Sequence, residues 1–387
     1  VGSFFDFCIL LIWYTMIVKG RILFKYILEC RDMVEYFSSN VFLRGKVCKM
    51  LNRIFMVCSF GMLFLFSSCI PESDFTDDPE GNFEALWSIM DERYCFFDYK
   101  NIDWNEVHQR YRSRIAQNMT DEELFGVLAD MLAELQDGHV NLSSSFDMAR
   151  YWKWFEDYPV NFNEEIVNKY YLQQPDYQIA GGMKYRILAN TNIGYIYYAS
   201  FSSGVGESNL DQIFAAFSSC DGIIIDVRDN SGGILTTVNR IASRFITEDR
   251  ICGYIRHKTG PAHDAFSDFH EIRLETAPSD RIHYLKPVAV LTNRRCYSAT
   301  NNFVSVMKEL PQVKIIGDYT GGGSGLPVSS ELPNGWSVRF SASPIYNVNK
   351  EHTEFGIAPD IFVNMADTPD RDAIIERAKE WIMSGGK

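Results

Sequence analysis

The sequence predicts an α/β fold behind a small N-terminal helical bundle, and three observations carry that expectation. Between Asn82 and Gln136 apolar residues recur three and four apart, as Phe83, Leu86, Trp87 and Met90 and again as Leu124, Val127, Leu128, Met131, Leu132 and Leu135. That is the period of an amphipathic helix. After residue 180 the pattern changes to short apolar runs alternating with amphipathic stretches, as a βα succession requires. With 387 residues, 46% of them hydrophobic and 14% aromatic, the chain can also bury a core large enough for more than one domain.

The start of the chain is of a different kind. Lys49 and Arg53 flank Met50, an apolar run extends from Ile54 to Phe66, and Phe66-Ser67-Ser68-Cys69 closes it. Charged, apolar and small-residue sections in that order read as a signal peptide over 50–69. Small residues before a Cys resemble the lipobox of bacterial lipoproteins, so Cys69 is the expected lipidation site. The protein is then expected at the cell envelope, in the periplasm or at the outer membrane, held to a lipid bilayer by that anchor. The run is shorter than the roughly 20 apolar residues of a spanning helix. Residues 1–49 contain a second apolar run, Cys8 to Val18, followed by Lys19, Arg21 and Lys25. They read as an over-extended gene start, with an extra membrane segment as the alternative. Glu72, Asp74, Asp77, Asp78 and Glu80 make residues 70–81 an acidic tether.

Residues 82–141 form the expected helical bundle. Thr120 followed by Glu123 reads as a capping box opening its last helix. Its aromatic stripe (Trp87, Tyr94, Phe96, Phe97, Tyr99) is expected in the core rather than in a substrate groove. A connector, 142–185, is rich in Tyr151, Trp152, Trp154, Phe155, Tyr170 and Tyr171, which either line a groove or pack on the core. In the remaining part, 186–387, strands are expected at Ile193–Tyr198, Gly222–Val227, Val288–Thr292 and Lys314–Ile316. Helices are expected at Leu210–Phe217, Thr236–Phe245 and Ala299–Lys308.

Composition excludes several functions. The formal net charge is −13 and no Lys/Arg run carries interleaved aromatics, which argues against nucleic acid as a partner. Of nine Cys, those at or beyond the processing site (Cys69, Cys95, Cys220, Cys252, Cys296) show no CxxC pairing, so neither a zinc site nor a dense disulfide framework is supported. No cofactor is called for.

Four segments carry chemistry. Ser298 lies between the strand Val288–Thr292 and a helix opening at Ala299, where its hydroxyl meets a helix N-terminus. An N-cap is the plain reading of such a Ser; a nucleophile needs the same place, because the Ala299 N–H can then serve a developing oxyanion. Asp226-Val227-Arg228-Asp229-Asn230-Ser231-Gly232-Gly233 follows an apolar strand, and its paired glycines allow close approach of a backbone N–H to a substrate. Gly232 is the expected second oxyanion donor, a simple tight turn being the alternative. His139, in Gln136-Asp137-Gly138-His139-Val140, is the candidate base: an imidazole titrates near about 6.5 before its surroundings displace it. A helix cap is its plain reading. The fourth segment is Thr353 to Asp360.

Taken together, DGHV, DVRDNSGG, CYSAT, GDYTGGG and GIAPDI, in that order, resemble the C-terminal processing and tricorn-like serine peptidases over roughly residues 83–365. The resemblance implies a catalytic core of the β/α spiral type shared with crotonases and ClpP. It also implies two catalytic arrangements. One branch uses a Lys about two dozen residues after the nucleophile, in a turn resembling Thr320-Gly321-Gly322-Gly323, and no Lys stands there. The tricorn-like branch uses Ser, His and Glu, which maps to Ser298, His139 and Glu354, the acid before Gly356-Ile357-Ala358-Pro359-Asp360; Glu351 or a residue outside this segment is the alternative acid. The PDZ domain of many relatives has no room between Leu142 and Arg186. The expected function is a serine endopeptidase acting on peptides or proteins through an acyl-enzyme. The alternative is a non-catalytic peptide- or ligand-binding lipoprotein on the same fold, with an esterase as a third reading.

Overall fold

The computed structural model describes residues 75–366 and 368–386. The signal peptide, the segment 1–49 and Cys69 lie outside the described residues, as does the tether as far as Asp74. Among the described residues no helix is long and apolar enough to cross a membrane.

Helix α1 (Pro79–Arg93) opens on Asp78, whose carboxylate accepts the Gly81 N–H at 2.8 Å, with Pro79 in the first turn where no N–H is missed. Next come α2 (Phe97–Lys100), α3 (Trp104–Arg112) and α4 (Asp121–Ala133). The capping box on α4 forms as expected: Thr120 Oγ1 accepts from the Glu123 N–H, and Glu123 accepts from the Thr120 N–H at 2.9 Å. The apolar stripes of these helices meet one another, with Leu86, Met90, Trp104, Leu128 and Met131 all nearly or fully inaccessible. Of the aromatic stripe, Tyr94, Phe96 and Phe97 are buried while Tyr99 is exposed. The helices do not close a core alone, because Val338, Phe340 and Trp336 from late in the chain complete it.

Strands β1 (Asn141–Ser143), β2 (Met148–Arg150), β3 (Gln178–Ala180), β4 (Met183–Ile187), β5 (Ile193–Tyr198) and β6 (Gly222–Asp226) follow. After them come β7 (Arg250–Ile255), β8 (His270–Leu274), β9 (Val288–Thr292), β10 (Val313–Gly317), β11 (Gly325–Glu331), β12 (Ser337–Tyr346) and β13 (Ile361–Phe362). They make two sheets. The larger has the order β13-β10-β9-β6-β5-β4-β3, parallel from β13 to β5 and antiparallel at its other edge. Strands β5, β6 and β9 are buried along their whole length, as expected for parallel strands covered on both faces. Alternate residues serve the two sides. Ile223, Ile225, Val288 and Val290 meet α5 (Glu207–Ala216), α6 (Leu235–Ala242) and α7 (Ala299–Lys308), whereas Ile224, Ala289 and Leu291 meet α8 (Ala373–Met383). The second sheet joins β2-β1-β12-β7-β8, with β11 also paired to β12.

The α/β expectation therefore holds, and β5, β9 and α7 have the limits the pattern gives them. The long β11–β12 hairpin was not legible, since its apolar positions are interrupted by Ser and Pro.

Candidate active site

Ser298 is the one residue before α7 and its backbone is strained, with φ 56° and ψ −119°. An L-residue there costs on the order of 1–3 kcal/mol and persists only where its surroundings over-determine it. They do: the Ser298 N–H donates to Gly322 O at 2.9 Å, and the preceding Tyr297 N–H donates to Asn230 O at 3.2 Å. The Ser298 hydroxyl makes no capping bond to α7. It lies 2.9 Å from His139 Nε2 instead.

His139 reaches that position from the loop between α4 and β1. The left-handed residue closing the α4 end is Gln136, φ 48°, rather than a glycine. Gly138 is small for another reason, since a Cβ on it would meet the Trp154 and Tyr297 rings. Asp137 anchors the loop. It is 1% exposed; its carboxylate accepts the His139 N–H at 2.8 Å, the Ser341 hydroxyl at 2.8 Å and the Tyr94 hydroxyl at 3.1 Å. The His139 ring packs against Tyr297 with centroids 5.0 Å apart, and its Nδ1 is buried without a hydrogen-bond partner. Burial pulls the imidazole down to about 4; Asp137 opposes this and Arg339 and Lys100 reinforce it. The ring is therefore neutral at pH 7 and able to accept a proton, and its titration lies well below the ordinary value of about 6.5.

Glu354 does not join the ring, which corrects the sequence expectation. Its Oε1 is 3.0 Å from Lys100 Nζ and its Oε2 accepts the Ser324 N–H at 2.8 Å. Glu351 is exposed and accepts from Asn347 Nδ2 at 2.9 Å. Lys100, at the end of α2, also donates to Leu135 O at 3.1 Å and Gln136 O at 3.3 Å and stands 4.0 Å from Asp137. One ammonium, its side chain 3% exposed, thus ties the His139 loop to the Glu354 segment. Burial pushes the Glu354 carboxyl up to about 7 against the pull of Lys100. Burial also acts to raise Asp137, but Lys100, His139 and its hydrogen bonds hold it below the usual carboxylate range. The sequence reading missed both Lys100 and Asp137. A Lys inside a stripe of core aromatics, and an Asp two residues before the candidate base, were the available signals.

The glycine pair needs a second correction. Gly232, φ 106°, spends its N–H on Asn230 Oδ1 at 3.0 Å. Its smallness is still required, because a Cβ would stand 2.7 Å from Tyr297 O and 2.9 Å from Ala299 N. The Gly233 and Ala299 N–H groups have no partner among the described residues, and both residues line the cavity that holds Ser298. Asn230, also missed, sets this arrangement. Its Oδ1 accepts from Thr300 Oγ1 at 2.7 Å as well, and its Nδ2 donates to Tyr198 O at 2.9 Å. The cavity measures about 300 Å³ and is walled further by Asn301, Leu326, Pro327 and Arg339. A broader depression between Arg114 and Asp130 lies on the helical layer and includes none of these residues.

The turn without Lys is closed to one. Side chains at Gly321, Gly322 and Gly323 would run into Trp154, the Glu354 backbone and the Tyr297 ring respectively. Trp154, from the aromatic connector, stacks on Tyr297 at 4.1 Å and so supports the elbow from behind. The four described cysteines, Cys95, Cys220, Cys252 and Cys296, are buried free thiols.

Comparison with known proteins gives this geometry a context. Residues 192–363 match peptidase family S41, and residues 75–133 match the tricorn protease C1 domain. The carboxy-terminal processing protease CtpB of Bacillus subtilis (strain 168) is 25% identical over 181 residues, which is 46% of this chain and 35% of that protein. The chain spans about a third of the length of the curated relatives it matches. The crystal structure of a candidate peptidase from Parabacteroides merdae is 56% identical with a TM-score of 0.76, covering 80% of this chain and 98% of that one. Mature CPAF is 11% identical at a TM-score of 0.58, over 80% of this chain and 98% of that one, a likeness of fold alone.

Proposed function

The chain belongs to peptidase family S41, the serine peptidases, and we propose that it cleaves internal peptide bonds with Ser298 as nucleophile and His139 as base. The observation supporting this most directly is the 2.9 Å contact between His139 Nε2 and a Ser298 hydroxyl held on a strained elbow. In the first step the Ser298 hydroxyl proton passes to Nε2 while Oγ bonds to the substrate carbonyl carbon. The carbonyl π electrons move to oxygen, and the free N–H groups of Ala299 and Gly233 receive the oxyanion. The imidazolium returns its proton to the departing amine as the C–N bond breaks, leaving an acyl-enzyme. Water then repeats the sequence and frees Ser298. Asp137 favours the transient imidazolium by its charge, and Lys100 keeps that charge in place. No cofactor enters this chemistry.

The anchor belongs to the same proposal. The apolar run ending in Ser67-Ser68-Cys69 supports a mature chain beginning at a lipidated Cys69 and working outside the cytoplasm. In the native host, Cys69→Ser should release the protein from the membrane fraction or leave it unprocessed; a mature N-terminus upstream of Met50 refutes this reading.

A fluorophosphonate probe tests the chemistry. Labelling of the wild type at Ser298, absent in Ser298→Ala and His139→Ala, is the expected result. Labelling that survives His139→Ala overturns the assignment of the base.

A further inference from the structure

The cavity beside the nucleophile contains one charged residue. Arg339, half-buried on β12, is the single ionisable side chain among those walling it; the rest are apolar or neutral polar groups such as Asn301, Leu326 and Pro327. Its guanidinium has no hydrogen bond, ion pair or ring contact among the described residues. The other arginines inside the fold are treated differently. Arg228 is clasped by Asp226 at 2.6 Å and Asp372 at 2.8 Å, and Arg244 by Glu207 at 2.7 Å and Asp211 at 2.6 Å.

A desolvated cation without a counter-charge is destabilising, and a guanidinium stays protonated under all ordinary conditions. Burial lowers Arg339 from its usual value, so it has lost part of its water without receiving a protein acceptor in exchange. The neighbouring strand does not compensate. Asn141 on β1 is paired with Arg339 on one side and Arg150 on the other, so the three lie in a row on one face of the sheet. Arg150 has Met148 Sδ at 2.6 Å and the Trp152 ring at 5.4 Å, and no carboxylate. Tyr297 and Asp137 act on Arg339 only at longer range, and Asp137 is already saturated by Ser341, Tyr94 and the His139 N–H. In a chain of net charge −13, two arginines on one face of this sheet, one of them lining the cavity of Ser298, have no carboxylate partner among the described residues.

We propose that Arg339 is a carboxylate-binding subsite that selects peptides presenting an acidic side chain or a free C-terminal carboxylate beside the scissile bond. The planar fork of Arg matches two carboxylate oxygens, and a cavity of about 300 Å³ admits a side chain or a chain end but little more. This rests on the peptidase reading above for its biological meaning, though not for its measurement.

The test uses the whole chain as wild type and as Ser298→Ala, with four fluorescent pools of degenerate octapeptides. Two amidated pools carry a fixed Glu or a fixed Gln at one position. Two further pools, free of Asp and Glu, end in a carboxylate or an amide. Binding to Ser298→Ala is read by anisotropy and cleavage by wild type through the release of new amines. A preference of about 10- to 100-fold is expected for one carboxylate source, the size of one charge-assisted hydrogen bond. Glu over Gln assigns the side chain, and free over amidated ends assigns the α-carboxylate. Arg339→Gln should bring the ratio close to one, and Arg339→Lys, which keeps the charge without the fork, should retain part of it. Equal binding of all four pools, or an undiminished ratio in folded Arg339→Gln protein, overturns the proposal. Should Arg339→Gln not fold, the ratio measured with Arg339 intact decides alone. Failure of Ser298 to react with the fluorophosphonate would instead remove the peptidase reading, since the binding ratio is taken in Ser298→Ala.

Discussion

The two halves of the proposed active site are built by different means. Ser298, the proposed nucleophile, sits on the large parallel sheet, and its position is fixed almost wholly by backbone groups: Ser298 N–H to Gly322 O, Tyr297 N–H to Asn230 O, and glycines that let main chain meet main chain. His139, the proposed base, comes from the helical layer and is fixed by ionisable side chains: Asp137 under the loop, Lys100 across it, Glu354 beyond. Backbone bonds do not titrate, whereas buried carboxylates and ammonium groups do. The nucleophile half should therefore hold its shape over a wide pH range, and the base half should carry the pH dependence and the larger stability risk.

The sharpest way to break the contrast is chemical. Ser298→Ala and His139→Ala should each lower acylation by on the order of 10⁴-fold or more, and the double mutant should be hardly worse than either, because the pair acts as one unit. Additive losses in single-turnover kinetics would mean that the two halves do not work together.

Removing a charge from the base half comes next. Lys100→Met leaves Asp137 and Glu354 buried without their cation, and breaking a buried pair this way costs about 3–5 kcal/mol. Urea unfolding should report that loss, and pairing Lys100→Met with Glu354→Gln should recover part of it. A loss under about 1 kcal/mol would show that the network is decorative. In the nucleophile half, Asn230→Ala removes the acceptor of Gly232 N–H and Thr300 Oγ1, and should reduce turnover by about 10²-fold through misplaced oxyanion donors. Its effect should be the same at pH 5 and pH 8; a strongly pH-dependent loss would contradict a backbone-built elbow.

The smallest effect is the position of the pH profile. With His139 pulled down to about 4, activity should climb as pH rises through about 4 rather than about 6.5, and any further inflection near 7 should follow Glu354, vanishing in Glu354→Gln. Stability carries the matching sign. Between about 6.5 and 4 the unfolded imidazole binds a proton that the folded one refuses, so His139 removes stability as pH falls through that window. His139→Ala should flatten this slope in denaturation curves taken at several pH values.

Much of the nucleophile half was legible because its cause is local. An apolar run, a turn and an amphipathic run put Ser298 at a strand-to-helix elbow, and paired glycines after β6 mark a close backbone approach. The base half was legible only as a single His. Lys100 and Glu354 are 254 positions apart in the numbering, and nothing in either neighbourhood signals the other. Gly232 and Gly233 show the same limit at short range, since adjacent glycines look alike until the fold turns one N–H toward Asn230 and leaves the other free.

By itself, then, the sequence determined the α/β class, the strands and helix that carry Ser298, and the pairing of residue types that serine chemistry needs, because periodicity, turns and short motifs depend on neighbours in the chain. Only the tertiary structure decided which carboxylate holds the His139 loop, which backbone amides beside Ser298 are left without a partner, and that Arg339 lines the cavity of Ser298 with no ion-pair partner among the described residues. Those outcomes depend on burial and on partners brought together from distant parts of the chain, and burial is what turns an ordinary charge into a costly one that must be matched.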